Sequence, residues 1–131
     1  MVKKLARVIA LTAAFSGGVF MNWALAQVPA SEDPLIVAPA HYEVRFENDR
    51  VRVLEGFDAA GEKIAMHGHP DTLMVALSTF KRKLTLGSGR VIETESKPGE
   101  VRWMPAQSHA GENIGSTDTR ALFIEFKPPV R

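Results

Sequence analysis

The chain has 131 residues, no cysteine, and 16 basic against 15 acidic side chains, which gives a formal charge of +1 at pH 7. This length suits one domain of ordinary size. The absence of cysteine excludes disulfides, thiolate metal sites and a cysteine nucleophile. A charge this close to zero gives no electrostatic argument for a nucleic-acid partner or an anionic membrane surface.

The N-terminal segment has the pattern of a secretory signal peptide. Three basic residues fall within the first seven, a mostly apolar run follows over residues 8–26, and the run ends with Ala24 and Ala26. Small residues at these two positions are typical of a cleavage site after Ala26. An uncleaved membrane anchor is the alternative interpretation, although the glycines within the run disfavour a permanent span.

Cleavage after Ala26 would change the charge and the compartment of the protein. The segment 1–26 holds three positive charges and no negative one, so the charge of the remaining chain would fall from +1 to −2. We expect an exported protein, in an oxidising compartment such as a bacterial periplasm, with no stable membrane insertion after cleavage. Without cysteine, its fold must depend on the core or on a metal.

The rest of the chain has the pattern of an all-β protein. Residues 27–40 contain three prolines and no clear period, which predicts a linker or extended arm. Beyond them, short alternating or apolar runs are separated by turn residues, and no stretch has the length and period of a covering helix. Strands are predicted at 43–46, 51–54, 72–78, 81–86, 90–95, 100–105, 109–114 and 120–126. The segment that precedes residue 70 is predicted as a further strand. Eight or nine short strands predict a sandwich or barrel.

Three of the four histidines follow a pattern that favours a metal site. His67 and His69 are two residues apart, so on a strand both imidazoles point to the same face. His109 follows a turn and opens another strand. Imidazole is a suitable ligand for zinc, iron, copper or nickel. The alternative is a barrel without metal, in which these histidines serve only as polar packing.

Two stretches of the chain resemble the two motifs of the cupin superfamily. Gly61, five residues and then His67-Gly68-His69 resemble the start of the first motif, G-x5-H-x-H-x3/4-E-x6-G. Gly99, five residues, Pro105, and then His109 and Asn113 resemble the second, G-x5-P-x-G-x2-H-x3-N. The resemblance extends over residues 41–127 and is strongest to small cupins, many of which have no assigned reaction.

The resemblance implies an antiparallel cupin-type β-barrel (a double-stranded β-helix or RmlC-like jelly roll). It also implies a divalent metal ion (Fe, Mn, Zn or Ni) on His67, His69 and His109. The chain departs from the motifs where the acidic ligand is expected, since those positions hold Leu73 and Met74. It departs again at the closing glycine of the first motif, which is replaced by Phe80 or Lys81, and at Gln107 in the second motif. Cupins with histidine ligands alone are known, so a three-histidine site remains the prediction.

Three further residues are weaker candidates for the pocket of such a barrel. Asp71 has the strand parity of His67 and His69 but follows a proline, and its alternative role is that of a turn residue. Asn113 shares the parity of His109, and its alternative role is to stabilise a turn. Trp103 is a candidate for an apolar pocket wall, with core packing as the alternative, whereas Arg102 beside it is expected to be solvated.

The strand that precedes the histidines carries an apolar pair of the opposite parity. If the histidines point into the barrel, Ile64 and Met66 should point outward. An exposed apolar pair indicates a covered surface, either under the arm at residues 35–40 or at a subunit interface. Small cupins are commonly dimers, so we expect a homodimer.

Two functional hypotheses remain open from the sequence. The first is a metal-dependent cupin that acts on a small molecule, with oxygenase or isomerase chemistry favoured because no residue stands out as a general base. The second is a non-catalytic periplasmic cupin that binds or senses a small ligand. Phosphate-binding loops, dinucleotide fingerprints and the G-x-S-x-G elbow are absent from the sequence.

Overall fold

The structure, a computed structural model, describes residues 28–129. The predicted signal peptide, residues 1–26, lies outside this range and remains a prediction. The described residues form nine strands: β1 (Tyr42–Glu47), β2 (Val51–Asp58), β3 (Lys63–His69), β4 (Thr72–Ala76), β5 (Phe80–Leu86), β6 (Val91–Ser96), β7 (Val101–Met104), β8 (Gln107–Asn113) and β9 (Thr119–Phe126). Within residues 28–129, no helix is long and apolar enough to cross a membrane.

The strands form two antiparallel sheets. One sheet has the order β1-β2-β9-β4-β7 and the other has the order β3-β8-β5-β6. Buried apolar side chains from both sheets, such as Leu54 and Phe123 from the first and Ile64 and Phe80 from the second, pack into a single core. This two-sheet β-barrel confirms the predicted all-β fold.

The first glycines of both cupin-like motifs lie in turns that require glycine. Gly61, between β2 and β3, has φ of +84°, and Gly99, before β7, has φ of +87°. A side chain at either position would strain the left-handed backbone. These turns explain why glycine recurs at the start of each motif.

The predicted arm contains two short helical segments. A 3₁₀ turn covers Ala30–Glu32, and one α-helical turn, α1, covers Pro34–Val37. Asp33 caps α1, since its carboxylate accepts a hydrogen bond from the Leu35 amide at 2.8 Å. Proline suits the first helical position because its missing N–H has no partner there. The helix packs against β3 and β1, so this segment is tied to the barrel.

The interior is as polar as it is apolar. Ten hydrophobic residues are buried, and ten buried residues are polar or charged. Buried polar groups cost free energy unless they are hydrogen-bonded, so stability alone does not favour such an interior. The polar interior therefore indicates a binding site within the barrel. The polar set comprises Asp58, His67, His69, Thr72, Arg82, Ser96, His109, Asn113, Thr119 and Glu125.

A β-bulge corrects the expected orientation of Ile64. The register of β3 against β8 shifts between Ile64 and His67. The extra residue reverses the alternation of sides, so Ile64 is buried in the core together with the histidines, while Met66 is 41% exposed. The prediction that both apolar residues point outward is therefore wrong for Ile64.

Candidate metal centre

Two adjacent strands bring the three histidines together inside the barrel. His67 and His69 lie at the end of β3, and His109 lies on β8 directly opposite His67. All three side chains are buried. One ring nitrogen from each lies within 4.8 Å of the corresponding nitrogens of the others. These distances are short enough for the three imidazoles to share one metal ion.

Hydrogen bonds hold the rings of His67 and His69 in defined orientations. Nδ1 of His67 donates to the carbonyl of Ala65 at 2.7 Å, and Nδ1 of His69 donates to a carboxylate oxygen of Glu125 at 2.7 Å. With the proton on Nδ1, the lone pair of each ring lies on Nε2. Such bonds to a carbonyl or carboxylate are typical of histidines that bind metals.

Glu125 links the histidines to a partly buried ionic chain. Its second oxygen accepts from Nε of Arg52 at 2.6 Å, and Nη1 of Arg52 donates to Asp33 at 2.7 Å. The chain therefore runs from Asp33 in the N-terminal arm through Arg52 and Glu125 to His69. Glu125 was not predicted from the sequence as a site residue. A signal was present, because Glu125 shares the inward parity of Ala121 and Phe123 on an apolar strand.

Tyr42 is a second site residue that was not predicted from the sequence. Its hydroxyl donates to Nε2 of His67 at 2.8 Å, and its ring centroid lies 5.2 Å from that of His67. Burial raises the pKa of Tyr42, so the hydroxyl keeps its proton at neutral pH. Tyr42 therefore places a neutral proton donor at the histidine cluster.

Burial keeps two of the imidazoles uncharged. The loss of solvation lowers the pKa of His67 to about 4 and that of His109 to about 2. The positive charge of Arg82 and the neighbouring His69 lower both values further. At neutral pH both rings are neutral, which is the protonation state that a metal ion requires of its histidine ligands.

A cavity of about 240 Å³ lies beside His109 between the two sheets. Its walls are mainly apolar side chains, among them Met74, Leu84 and Phe123, with Arg82 and Arg102 as the charged residues of the lining. Arg102 is half-buried and is among the residues that line the cavity, while its guanidinium donates to the Glu95 carbonyl at 3.2 Å in an exposed position. The cavity is a mostly apolar chamber with cationic groups in its wall.

The close approach of two strands positions Arg82. Its Nη1 donates to Asp58 at 2.6 Å, while its Nε is buried and has no hydrogen-bond partner. A Cβ at Gly111, on β8, would lie only 2.2 Å from Nη2 of Arg82. Glycine at this position therefore allows the guanidinium to lie against β8, in the same inner row as His109.

The structure places the other predicted pocket residues apart from the histidine cluster. Asp71 lies in the turn between β3 and β4, where its carboxylate accepts from the Ala106 amide at 2.9 Å. Asn113 is buried and donates to the Thr117 carbonyl at 2.8 Å, which stabilises the β8–β9 turn. The Trp103 side chain is 53% exposed, and its ring lies 5.8 Å from the ring of Phe126. Trp103 is nevertheless among the residues that line the cavity beside His109.

The donor set fits a divalent metal ion. Nε2 of His69 and Nδ1 of His109 are buried without a hydrogen-bond partner. A buried nitrogen without a hydrogen-bond partner costs free energy in a protein core. It is expected where a bound ligand supplies the missing interaction. Three imidazole ligands also match the preference of first-row divalent metals for nitrogen. Met74, at one position where a cupin carboxylate is expected, points inward as an apolar wall.

The similar solved structures include several that are described as cupins. Models of protein families and curated proteins gave no match. A cupin domain from Bordetella pertussis Tohama I superposes with a TM-score of 0.61 and 25% identity over 66% of this chain and 92% of its own. An RmlC-like cupin with a double-stranded β-helix fold from Methanocaldococcus jannaschii has a TM-score of 0.53 and 16% identity, covering 65% and 77%.

A third similar structure is the polyketide cyclase RemF from Streptomyces resistomycificus, with a TM-score of 0.51 and 22% identity over 69% of this chain and 68% of its own. The two-sheet antiparallel barrel agrees with the double-stranded β-helix fold printed for one of these neighbours. The chain therefore shares the double-stranded β-helix fold of the cupins.

Proposed function

We propose that this protein binds one divalent metal ion through His67, His69 and His109 and presents that ion to a small molecule in the barrel. The observation that carries the proposal is the buried three-histidine cluster, whose ring nitrogens lie within 4.8 Å of one another. A divalent ion held by three protein ligands retains open coordination positions, through which it supplies Lewis acidity or, as Fe(II), reactivity with dioxygen.

The surrounding residues would prepare the imidazoles for this role. Ala65 and Glu125 accept the Nδ1 protons of His67 and His69, which directs both Nε2 atoms toward the cluster. Tyr42 donates to one of these atoms. Metal binding by Nε2 of His67 would release this hydroxyl, which would then be available as a hydrogen-bond donor to a bound molecule.

We propose a small, largely apolar ligand with one anionic or hydrogen-bond-accepting group. The cavity of about 240 Å³ is below the size that is usual for drug-like ligands, and its lining is mainly hydrophobic. The unpartnered Nε of Arg82 and the guanidinium of Arg102 would bind the acceptor group. Oxygenase or isomerase chemistry on such a molecule is the catalytic form of this proposal.

A non-catalytic ligand-binding or sensing role is the second candidate. The observation that favours it is that Glu125, the acid hydrogen-bonded to the cluster, already binds both His69 and Arg52. A carboxylate engaged in this way is poorly suited to remove a proton from a substrate. Stoichiometric ligand binding without turnover would distinguish this role from catalysis. In both forms we propose an exported, periplasmic protein, on the strength of the N-terminal sequence pattern.

Elemental analysis of the exported protein, purified without an affinity tag, tests the metal site. We expect about one metal ion per chain and expect His69→Ala to reduce it to background. His41→Ala is the matched control, because His41 is the one histidine outside the cluster and its Nδ1 bonds the Phe57 carbonyl at the surface. Metal content that is equal in the two variants would refute the site.

A further inference from the structure

The N-terminal arm (residues 28–40) contacts the strand segments that carry the histidines. Gly68 lies between the two histidines of β3, and a Cβ there would lie 2.2 Å from Cγ1 of Val28 and 3.2 Å from a carboxylate oxygen of Glu32. Glu32 also accepts a hydrogen bond from the hydroxyl of Ser108, the residue before His109 on β8. The arm therefore lies directly against both strands of the histidine cluster.

The arm also reaches the cluster through the ionic chain that begins at Asp33. The members of this chain become less exposed toward the histidines, since the side chain of Asp33 is 24% exposed, that of Arg52 17% and that of Glu125 2%. Arg52 donates to both carboxylates, at 2.7 Å to Asp33 and at 2.6 Å to Glu125. The arm thus supplies the outer carboxylate of a chain whose inner carboxylate accepts the Nδ1 proton of His69.

Apolar packing holds the arm on the barrel and fixes the position of Asp33. Pro34 and Ala38 are buried, and Leu35 packs against the core. One carboxylate oxygen of Asp33 caps α1, and the other accepts from Arg52. Both oxygens of this carboxylate are therefore engaged when the arm is docked.

The charge of Arg52 is shared between two carboxylates. With Asp33 in place, Glu125 is only partly neutralised and keeps negative charge that polarises the Nδ1–H bond of His69. Without Asp33, Glu125 would be the one carboxylate that pairs with Arg52 in the described chain. The guanidinium would then withdraw charge from the bond to His69, and a less polarised imidazole is a weaker metal ligand.

We infer that the N-terminal arm is part of the metal centre, with Asp33 as a positioning residue that acts on His69 through the ionic chain. Docking of the arm and binding of the metal then strengthen each other by the same factor. Because it acts on His69, this role of Asp33 rests on the proposed three-histidine site. It adds to that site a segment that lies outside both cupin-like motifs.

Isothermal titration of the exported protein with Zn(II) tests the role of Asp33. Asparagine caps helices as well as aspartate does, so Asp33→Asn keeps the cap of α1 but removes the charge that faces Arg52. We expect this variant to bind Zn(II) about 5-fold or more weakly. Asp49→Asn is the matched control, because Asp49 lies exposed in the turn between β1 and β2 and its loss removes the same charge.

Two outcomes of this titration distinguish the inference from the metal site on which it rests. Equal affinities of Asp33→Asn and Asp49→Asn would overturn the inference and leave the three-histidine site intact. A lack of Zn(II) binding by the unaltered protein would refute the site and the inference together.

The same substitution in a Glu125→Gln background separates positioning from a general loss of stability. If Asp33 acts through Glu125, Asp33→Asn should cause little further loss of Zn(II) affinity in this background, whereas independent effects would add. An undiminished loss in this background would overturn the inference.

Amide hydrogen exchange in the arm measures the same coupling from the other side. The amides of Ile36, Val37 and Ala38 donate to the carbonyls of Asp33 and Pro34, so they are protected only while α1 is folded. Saturating Zn(II) should slow their exchange about 5-fold or more in the unaltered protein, and by less in Asp33→Asn. Exchange that Zn(II) leaves unchanged, or slows equally in both proteins, would overturn the inference.

Discussion

At the scale of single residues, the site depends on partners that are distant in the sequence. The H-x-H pair and the third histidine could be predicted because their spacing is local and follows a known motif. Glu125 could not be predicted as a partner, because it lies 56 residues from His69 and meets it only through the pairing of β9 within the barrel. Tyr42 reaches His67 across 25 residues for the same reason.

Glu125 should strengthen metal binding by orienting and polarising His69. Glu125→Gln keeps the shape and the acceptor oxygen but removes the charge, so we expect metal affinity to fall about 10- to 100-fold. Isothermal titration with Zn(II) measures this change. Glu112→Gln is the matched control, because Glu112 pairs with Lys83 at the surface at 2.7 Å and does not contact the site. Equal affinities for the two variants would contradict the role of Glu125.

At the scale of secondary structure, the strands could be predicted from the sequence. The side of the sheet to which each side chain points could not always be predicted. Alternation and turn residues gave the strands because both are local properties of the chain. The bulge in β3 is absent from any such pattern, since Lys63, Ile64 and Ala65 carry no turn signal, and it reversed the predicted side of Ile64. The helical turn at Pro34–Val37 was not predicted either. It packs against β3 and β1, and these contacts are not a local property of the chain.

The pairing of β8 with β5 should depend on Gly111. A methyl group there would lie 2.2 Å from Nη2 of Arg82, so Gly111→Ala must displace the guanidinium or the strand. We expect a loss of about 1–3 kcal/mol in the free energy of unfolding, measured by urea denaturation. Gly87→Ala is the control, because its nearest contact would be an ordinary 3.6 Å. A Gly111→Ala variant as stable as Gly87→Ala would show that the strands are less closely packed than described.

At the scale of the whole molecule, two antiparallel sheets enclose an interior rich in polar groups. The motif spacing was enough to predict the cupin barrel, because glycine turns and histidines occupy fixed places in that fold. The cavity beside His109 depends on side chains from both sheets.

The thermal stability of metal-depleted protein, with and without added metal, tests the central claim most directly. An ion that binds only the folded state at 100 times its dissociation constant adds about 2.7 kcal/mol, which corresponds to a rise in Tm of about 10 °C or more for a domain of this size. We predict such a rise with at least one of Fe(II), Mn(II), Zn(II) and Ni(II), its retention in His41→Ala and its loss in His69→Ala. A Tm that none of these ions raises in the unaltered protein would contradict the three-histidine metal site.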